Sequence, residues 1–247
     1  VLRFLLALTV GMAAGPAQSE TPVDLNLVLA VDVSDSIDAK EGLLQRDGYA
    51  KAFKRPEIIN AIKSGRHGRI AVSYFEWADA TEQALIVNWM VIEDLPSAEE
   101  FGKRLATATL HGGHFTSISA AINYALGLLK KSPFVADRKV IDISADGRSN
   151  DGPSLESARR AADTWEVTVN GLPIDNERSR IAADMMPGQI ARYFREKVIT
   201  GPGAFIVVVF GVIAEHGYDG LVLATFMAGI ILLVAGYFRA GRLIAYV

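Results

Sequence analysis

The chain has 247 residues, with 25 basic and 28 acidic side chains and a net charge of −3. No basic excess or nucleic-acid motif stands out, so nucleic acid is not an expected partner, and the absence of cysteine excludes disulfides and thiolate metal sites. Half of the residues (50%) are hydrophobic and the mean hydropathy is +0.23, high enough for a wholly soluble domain that a membrane segment is worth seeking.

The first residues resemble a secretory signal. Arg3 is the charged flank, Phe4 to Val10 is the apolar stretch, and Gly15-Pro16-Ala17 offers a small-residue cleavage site. Residues 1–17 are therefore expected to be a signal peptide, with a short membrane anchor or an apolar amino-terminal strand as the alternative. Val23 to Val31 is an apolar run that reads as a buried parallel strand. A helix follows over Ile37–Lys54, with Leu43, Leu44, Tyr49 and Phe53 as candidate inward positions, then a short helix over Pro56–Lys63. Arg69–Trp77 and Gln83–Ile92 read as strands. Pro96 opens a helix to about Leu110, where the fixed proline φ suits a first turn.

The loop His111-Gly112-Gly113-His114-Phe115 leads into a helix over Ser117–Lys131. Lys139–Ser144 is a strand ending at Ala145-Asp146-Gly147. Ser154–Trp165 is a helix, Val167–Ile174 a strand with a glycine turn, and Gly188–Val198 a helix. This alternation predicts an α/β fold: a doubly wound, mostly parallel sheet covered on both faces, over residues 22–203.

The chemistry gathers at strand ends. After the first strand come Asp32, Ser34 and Ser36, spaced so that in extended backbone all three point the same way. Thr116 follows the glycine-rich loop, and Asp146 ends a later strand. Ligands in open α/β sheets sit beyond the carboxyl ends of strands, and an all-oxygen donor set suits a hard cation, Mg²⁺ or else Mn²⁺ or Ca²⁺. The alternative is that the same residues only cap turns and helices. His111 and His114 read as a polar rim, since two histidines without a third ligand are a poor zinc signal. Asp35 and Asp38 read as solvent-facing or capping residues, Asn150 and Asp151 as turn residues. Glu76 and Trp77 are read as lining the crevice, with the core as the alternative for Trp77. No nucleophile with a base, P-loop or paired catalytic carboxylates is evident, so a binding protein is expected rather than an enzyme. Metal-assisted hydrolysis is the alternative on chemical grounds.

The order D-x-S-x-S, Thr, Asp resembles the von Willebrand factor type A family and its metal-ion-dependent adhesion site (MIDAS). The resemblance implies Ser34, Ser36 and Thr116 as direct ligands, Asp32 and Asp146 as direct or water-mediated ones, and a partner protein that supplies an Asp or Glu carboxylate to the metal. The segments LQRDGYAKAF, RIAVSYFEW, TSISAAI, VIDISADGRSNDG, VTVNGLPI and VITGPGAF are similar to a bacterial subgroup, DUF1194, usually exported. That resemblance covers about residues 22–205.

The last part differs. Ala204–Ala214 is an uncharged apolar run, and Leu221–Phe238 is 18 residues without a charge, followed by Arg239 and Arg242. Such a run is at the lower edge of spanning length, and the arginines predict a cytoplasmic carboxyl end. Residues 204–247 are therefore expected to form a membrane helix or helical hairpin; the alternative, a buried core helix, is hard to fit because the run is apolar on all sides. They would anchor an exported, periplasmic or cell-surface domain in the bacterial inner membrane. From about Gly203 the segment resembles a piece of the sulfate-permease (SulP) anion transporters. Two readings stay open: a chimera carrying a transporter fragment with no activity of its own, or a natural tail-anchored domain whose last strand is residues 203–209.

Overall fold

The computed structural model describes residues 21–210, apart from 36, 38, 110, 176 and 183. The elements in chain order are β1 (Thr21–Asp32), α1 (Ala39–Phe53), α2 (Pro56–Lys63), β2 (Ile70–Trp77), β3 (Gln83–Ile92) and α3 (Leu95–Thr107). Then come α4 (Ile118–Lys130), β4 (Phe134–Ala145), α5 (Leu155–Thr164), β5 (Thr168–Asp175), α6 (Glu177–Ala182), α7 (Gln189–Tyr193), a π-turn (Phe194–Val198) and β6 (Val209–Phe210).

The strands form one sheet in the order β3-β2-β1-β4-β5-β6. All neighbours are parallel except β2 and β3, which are antiparallel. β1 lies between β2 and β4 and is buried on both faces from Leu25 onward, which is why its sequence is a continuous apolar run rather than an alternation. One face carries Leu27, Leu29, Val31 and Val72 against Tyr49 and Phe53 of α1, Ile58 and Ile62 of α2, and Phe101 and Leu105 of α3. The other carries Val28, Ala30, Phe75 and Ile143 against Ile118, Ile122 and Leu126 of α4, Ala158 and Ala162 of α5, and Ile190 of α7. The doubly wound, mostly parallel architecture expected from the alternation is thus the one observed.

The chain leaves β1 toward β2 on one side, and β4 continues to β5 on the other. The carboxyl ends of β1 and β4 therefore flank the point where strand order reverses, the usual crevice for ligands in open sheets. Asp32 closes β1 and Asp146 follows β4.

Several local expectations change. Leu43 is exposed, and the inward face of α1 holds Arg46 together with Tyr49, Ala50 and Phe53. Gly171 is not in a turn. It lies inside β5, where an added Cβ would run into the ring of Phe194, so the glycine permits a close helix–strand approach. β4 begins at Phe134, five residues before the expected start, because Phe134, Val135 and Ala136 pair with Thr21, Pro22 and Val23. The expected helix to Val198 becomes α7 plus the π-turn.

No helix among the described residues is long and apolar enough to cross a membrane. The expected signal peptide and the expected span, Leu221–Phe238, lie outside the described residues. Within the described part, Gly171 donates to Phe205 O at 3.0 Å, Val207 donates to Gly171 O at 2.9 Å, and Val209 and Phe210 pair with Ile174 and Asp175.

Candidate metal centre

Three loops meet beyond the carboxyl edge of the sheet. The first leaves β1. Asp32 is 0% exposed, and its Oδ1 accepts the Ser34 N–H at 2.8 Å. This turn is fastened to β2 by the Val33 N–H, which donates to Trp77 O at 2.9 Å. Ser34 is buried and bridges to Gly113 of the glycine-rich loop. Gly113 has to be a glycine there, since an added Cβ would stand 2.7 Å from the Ala78 Cβ.

The second loop carries Thr116, buried, just before α4. Its N–H donates to Asn150 Oδ1 at 2.9 Å, and the Asn150 N–H donates back to Thr116 O at 2.9 Å. The third loop begins with Asp146, 1% exposed. A Cβ placed on Gly147 would lie 3.5 Å from Thr116 Oγ1, so the Thr116 hydroxyl abuts this turn. Asp151 completes the frame: its carboxylate accepts the Ala80 N–H and its carbonyl accepts the Ser117 hydroxyl. Asp32, Ser34, Thr116 and Asp146 are thus gathered, all buried, at the carboxyl edge of the sheet. Ser36 lies outside the described residues.

Two acids buried beside one another disfavour each other's charge. Burial, and then the charge of Asp146, push the Asp32 carboxyl up to about 8. Asp32 Oδ2 is buried with no hydrogen-bond partner among the described residues, although buried polar atoms are nearly always satisfied. Two carboxylates and neutral hydroxyls form a hard oxygen set, and a divalent cation would both satisfy the orphaned oxygen and neutralise the pair.

The rim is polar. His111 and His114 are exposed, and His114 Nδ1 lies 2.8 Å from Asp35 Oδ2. That bond, then the Asp35 charge, raises the His114 pKa. Trp77 is core, and Glu76 does not line the crevice. It lies beneath, in a buried ion pair with Arg46 at 2.6 Å. Arg46, Glu76, Asn150 and Asp151 frame the site but carry no ligand signature. In the sequence, Glu76 reads as a crevice residue and Asn150 and Asp151 as turn residues, and Arg46 stands out only as part of the segment LQRDGYAKAF.

A second group, Asp24, His67 and Asp137, offers three potential ligand atoms within 4.8 Å of one another at the opposite end of the sheet. There Asp24 accepts the His67 N–H at 2.8 Å and the Arg69 N–H at 3.2 Å, which ties down the turn before β2.

The sheet order and the helices on both faces give the fold of von Willebrand factor type A domains. The chain belongs to the DUF1194 family, described as proteins of unknown function, whose sequence profile matches residues 22–214. Among solved structures the fold is similar to that of the SpRpn10 VWA domain, at 12% identity and a TM-score of 0.55 over 81% of this chain and 94% of that one. It is also similar to proximal thread matrix protein 1 from the mussel byssus with zinc occupied MIDAS motif, at 13% identity and a TM-score of 0.55 over 83% of this chain and 46% of that one. The chain thus spans about half the length of the mussel protein. A stretch of 50 residues, 20% of the chain, is 42% identical to a Bacillus subtilis (strain 168) protein that bears the name of a sulfate transporter, YvdB. It spans 9% of that protein.

Proposed function

We propose that this protein is a divalent-cation-dependent protein-binding module, exported and anchored to the membrane by its carboxyl-terminal segment. Ser34, Ser36 and Thr116 supply hydroxyl ligands, and Asp32 and Asp146 hold the cation directly or through water. Neutral hydroxyls leave the cation electrophilic, so an open coordination position accepts an Asp or Glu carboxylate from a partner protein. The observation that carries this reading is the orphaned Asp32 Oδ2, buried beside a second acid. The type A fold supports it. The role proposed is binding rather than catalysis.

Calorimetry with Mg²⁺ or Mn²⁺ tests the cation. The purified protein is expected to bind one ion, Asp32→Ala/Ser34→Ala none, and Asp137→Asn one with unchanged affinity. No binding by folded wild type, or equal binding by the double variant, overturns the reading. Capture of a partner that is lost in EDTA tests the ligand.

The likeness to YvdB favours a second reading of the carboxyl-terminal segment alone: a transporter fragment joined to the domain. Amplification of source DNA across the codons for residues 190–220 tests it, and failure to recover that junction marks the join as an artefact.

A further inference from the structure

We propose that Arg46 is a positioning residue for the cation centre, holding the loops of Ser34 and Thr116 in mutual register from beneath. This rests on the cation reading of the crevice. Arg46 is 2% exposed on the inner face of α1. Its Nε and Nη2 donate to the two carboxylate oxygens of Glu76 at 2.6 and 2.8 Å. Nη1 donates to Leu105 O at 3.4 Å and Ala108 O at 2.6 Å, and Nη2 also donates to Thr109 O at 2.7 Å. A guanidinium has five N–H donors, and these five bonds use them all.

The acceptors sit where the ligand loops begin. Glu76 precedes Trp77, whose carbonyl fastens the turn between Asp32 and Ser34, and Ala78, whose carbonyl accepts the Ser117 N–H at 2.7 Å. Ala108 and Thr109 end α3 and start the loop that bridges to Ser34 at Gly113 and continues to Thr116. Arg46 itself lies on α1, the helix that comes after the loop of Asp32 and Ser34. One planar group therefore ties the helix after the first loop, the strand supporting it and the root of the second loop.

A buried ion pair is weak evidence for stability, since apolar residues of similar volume often replace it without loss. What apolar residues cannot do is bond three inward carbonyls in a fixed plane. Folding tolerates a loop shift of a few tenths of an ångström. A Mg²⁺ site with ligands at about 2.0–2.1 Å does not. The role is therefore separable: affinity falls where stability need not.

The test uses the full chain as wild type, Arg46→Lys and Arg46→Met/Glu76→Leu, with Asp24→Asn as a remote control at the far end of the sheet. Lysine has three donors on one atom and cannot span the five bonds. The double variant removes both charges and guards against a variant that fails to fold. Folding is followed by cooperative thermal melting and Mn²⁺ binding by calorimetry. Both Arg46 variants are expected to weaken Mn²⁺ about tenfold or more, the usual scale for groups that orient ligands, and the double variant to do so with a near-native Tm. Asp24→Asn is expected to lower Tm and leave Kd unchanged. Wild-type Kd in either folded Arg46 variant overturns the proposal, as does an equal loss of affinity in Asp24→Asn. Absence of binding by wild type overturns the cation reading itself, and this inference with it.

Discussion

Asp32 carries a cost that hydrogen bonds from Ser34 and from the Asp146 backbone only partly offset. Its carboxyl titrates near 8 because burial and Asp146 disfavour the charge. In the unfolded chain the same group titrates at 3.8. Between these values the folded state keeps a proton that the unfolded state has lost, so the metal-free protein loses stability as pH rises from about 4 to about 8. Asp142, raised to about 6 by burial against the opposing pull of Asn170 and Arg138, adds the same trend below about pH 6, but it is no part of the crevice. Saturating Mg²⁺ is therefore expected to flatten the melting profile between pH 6 and 8 and to leave the lower part sloping. Binding needs the ionised Asp32, so affinity is expected to improve roughly fifty-fold from pH 6 to pH 8 for one released proton. Calorimetry in two buffers of different ionisation enthalpy counts that proton. Asp32→Asn removes the charge while leaving an oxygen for the Ser34 N–H. It is expected to abolish cation binding and, at pH 8 without metal, to melt at a higher temperature than wild type. A lower melting temperature there would mean that Asp32 supports the fold rather than burdening it.

Loops and strands show how far such a site can be read in advance. Asp32, Ser34, Thr116 and Asp146 are legible because each stands at the end of an apolar run or beside glycines, where periodicity marks the boundary. Arg46 is not, because a charged residue in a helix reads as solvent-facing. Its inward place is set by Glu76, thirty residues away, and Leu43 is turned out as a consequence. The first half of β4 is hidden for a related reason: Asp137, Arg138 and Lys139 are exposed, so pairing with β1 leaves no apolar pattern there. Glycines separate the two roles experimentally. Gly113→Ala forces a shift against Ala78 in the loop that bridges to Ser34, and is expected to weaken Mn²⁺ about tenfold. Gly171→Ala forces the Phe194 ring away from β5. It is expected to cost about 1–3 kcal/mol of stability with no change in Kd, which urea unfolding and calorimetry on the same samples will separate.

For the molecule as a whole, the decisive strand is the last one described. The segment from Thr200 to Phe210 runs along β5 and joins both layers. Phe205 packs toward the α1 side and Ile206 toward the α4 side. Gly171 exchanges hydrogen bonds with Phe205 and Val207, and the Phe205 N–H reaches Asn170 Oδ1 at 3.3 Å. At about 1 kcal/mol per hydrogen bond and a comparable amount for each half-buried apolar side chain, this strip contributes about 5 kcal/mol. A domain of this size has only about 5–15 kcal/mol of stability in total. A chain ended after Gly203 is therefore expected to lose its cooperative melt, or to melt far below wild type. A chain ended after Ala214, where the family match stops, keeps the strip and is expected to melt cooperatively and bind Mn²⁺ with wild-type affinity. Equal melting of the two would mean that β5 is a sufficient edge by itself. Loss of binding in the longer chain alone, with its melt intact, would mean that residues beyond 214 contribute to the centre. The expected pattern instead makes residues 204–210 part of the folded domain rather than of a separate carboxyl-terminal segment.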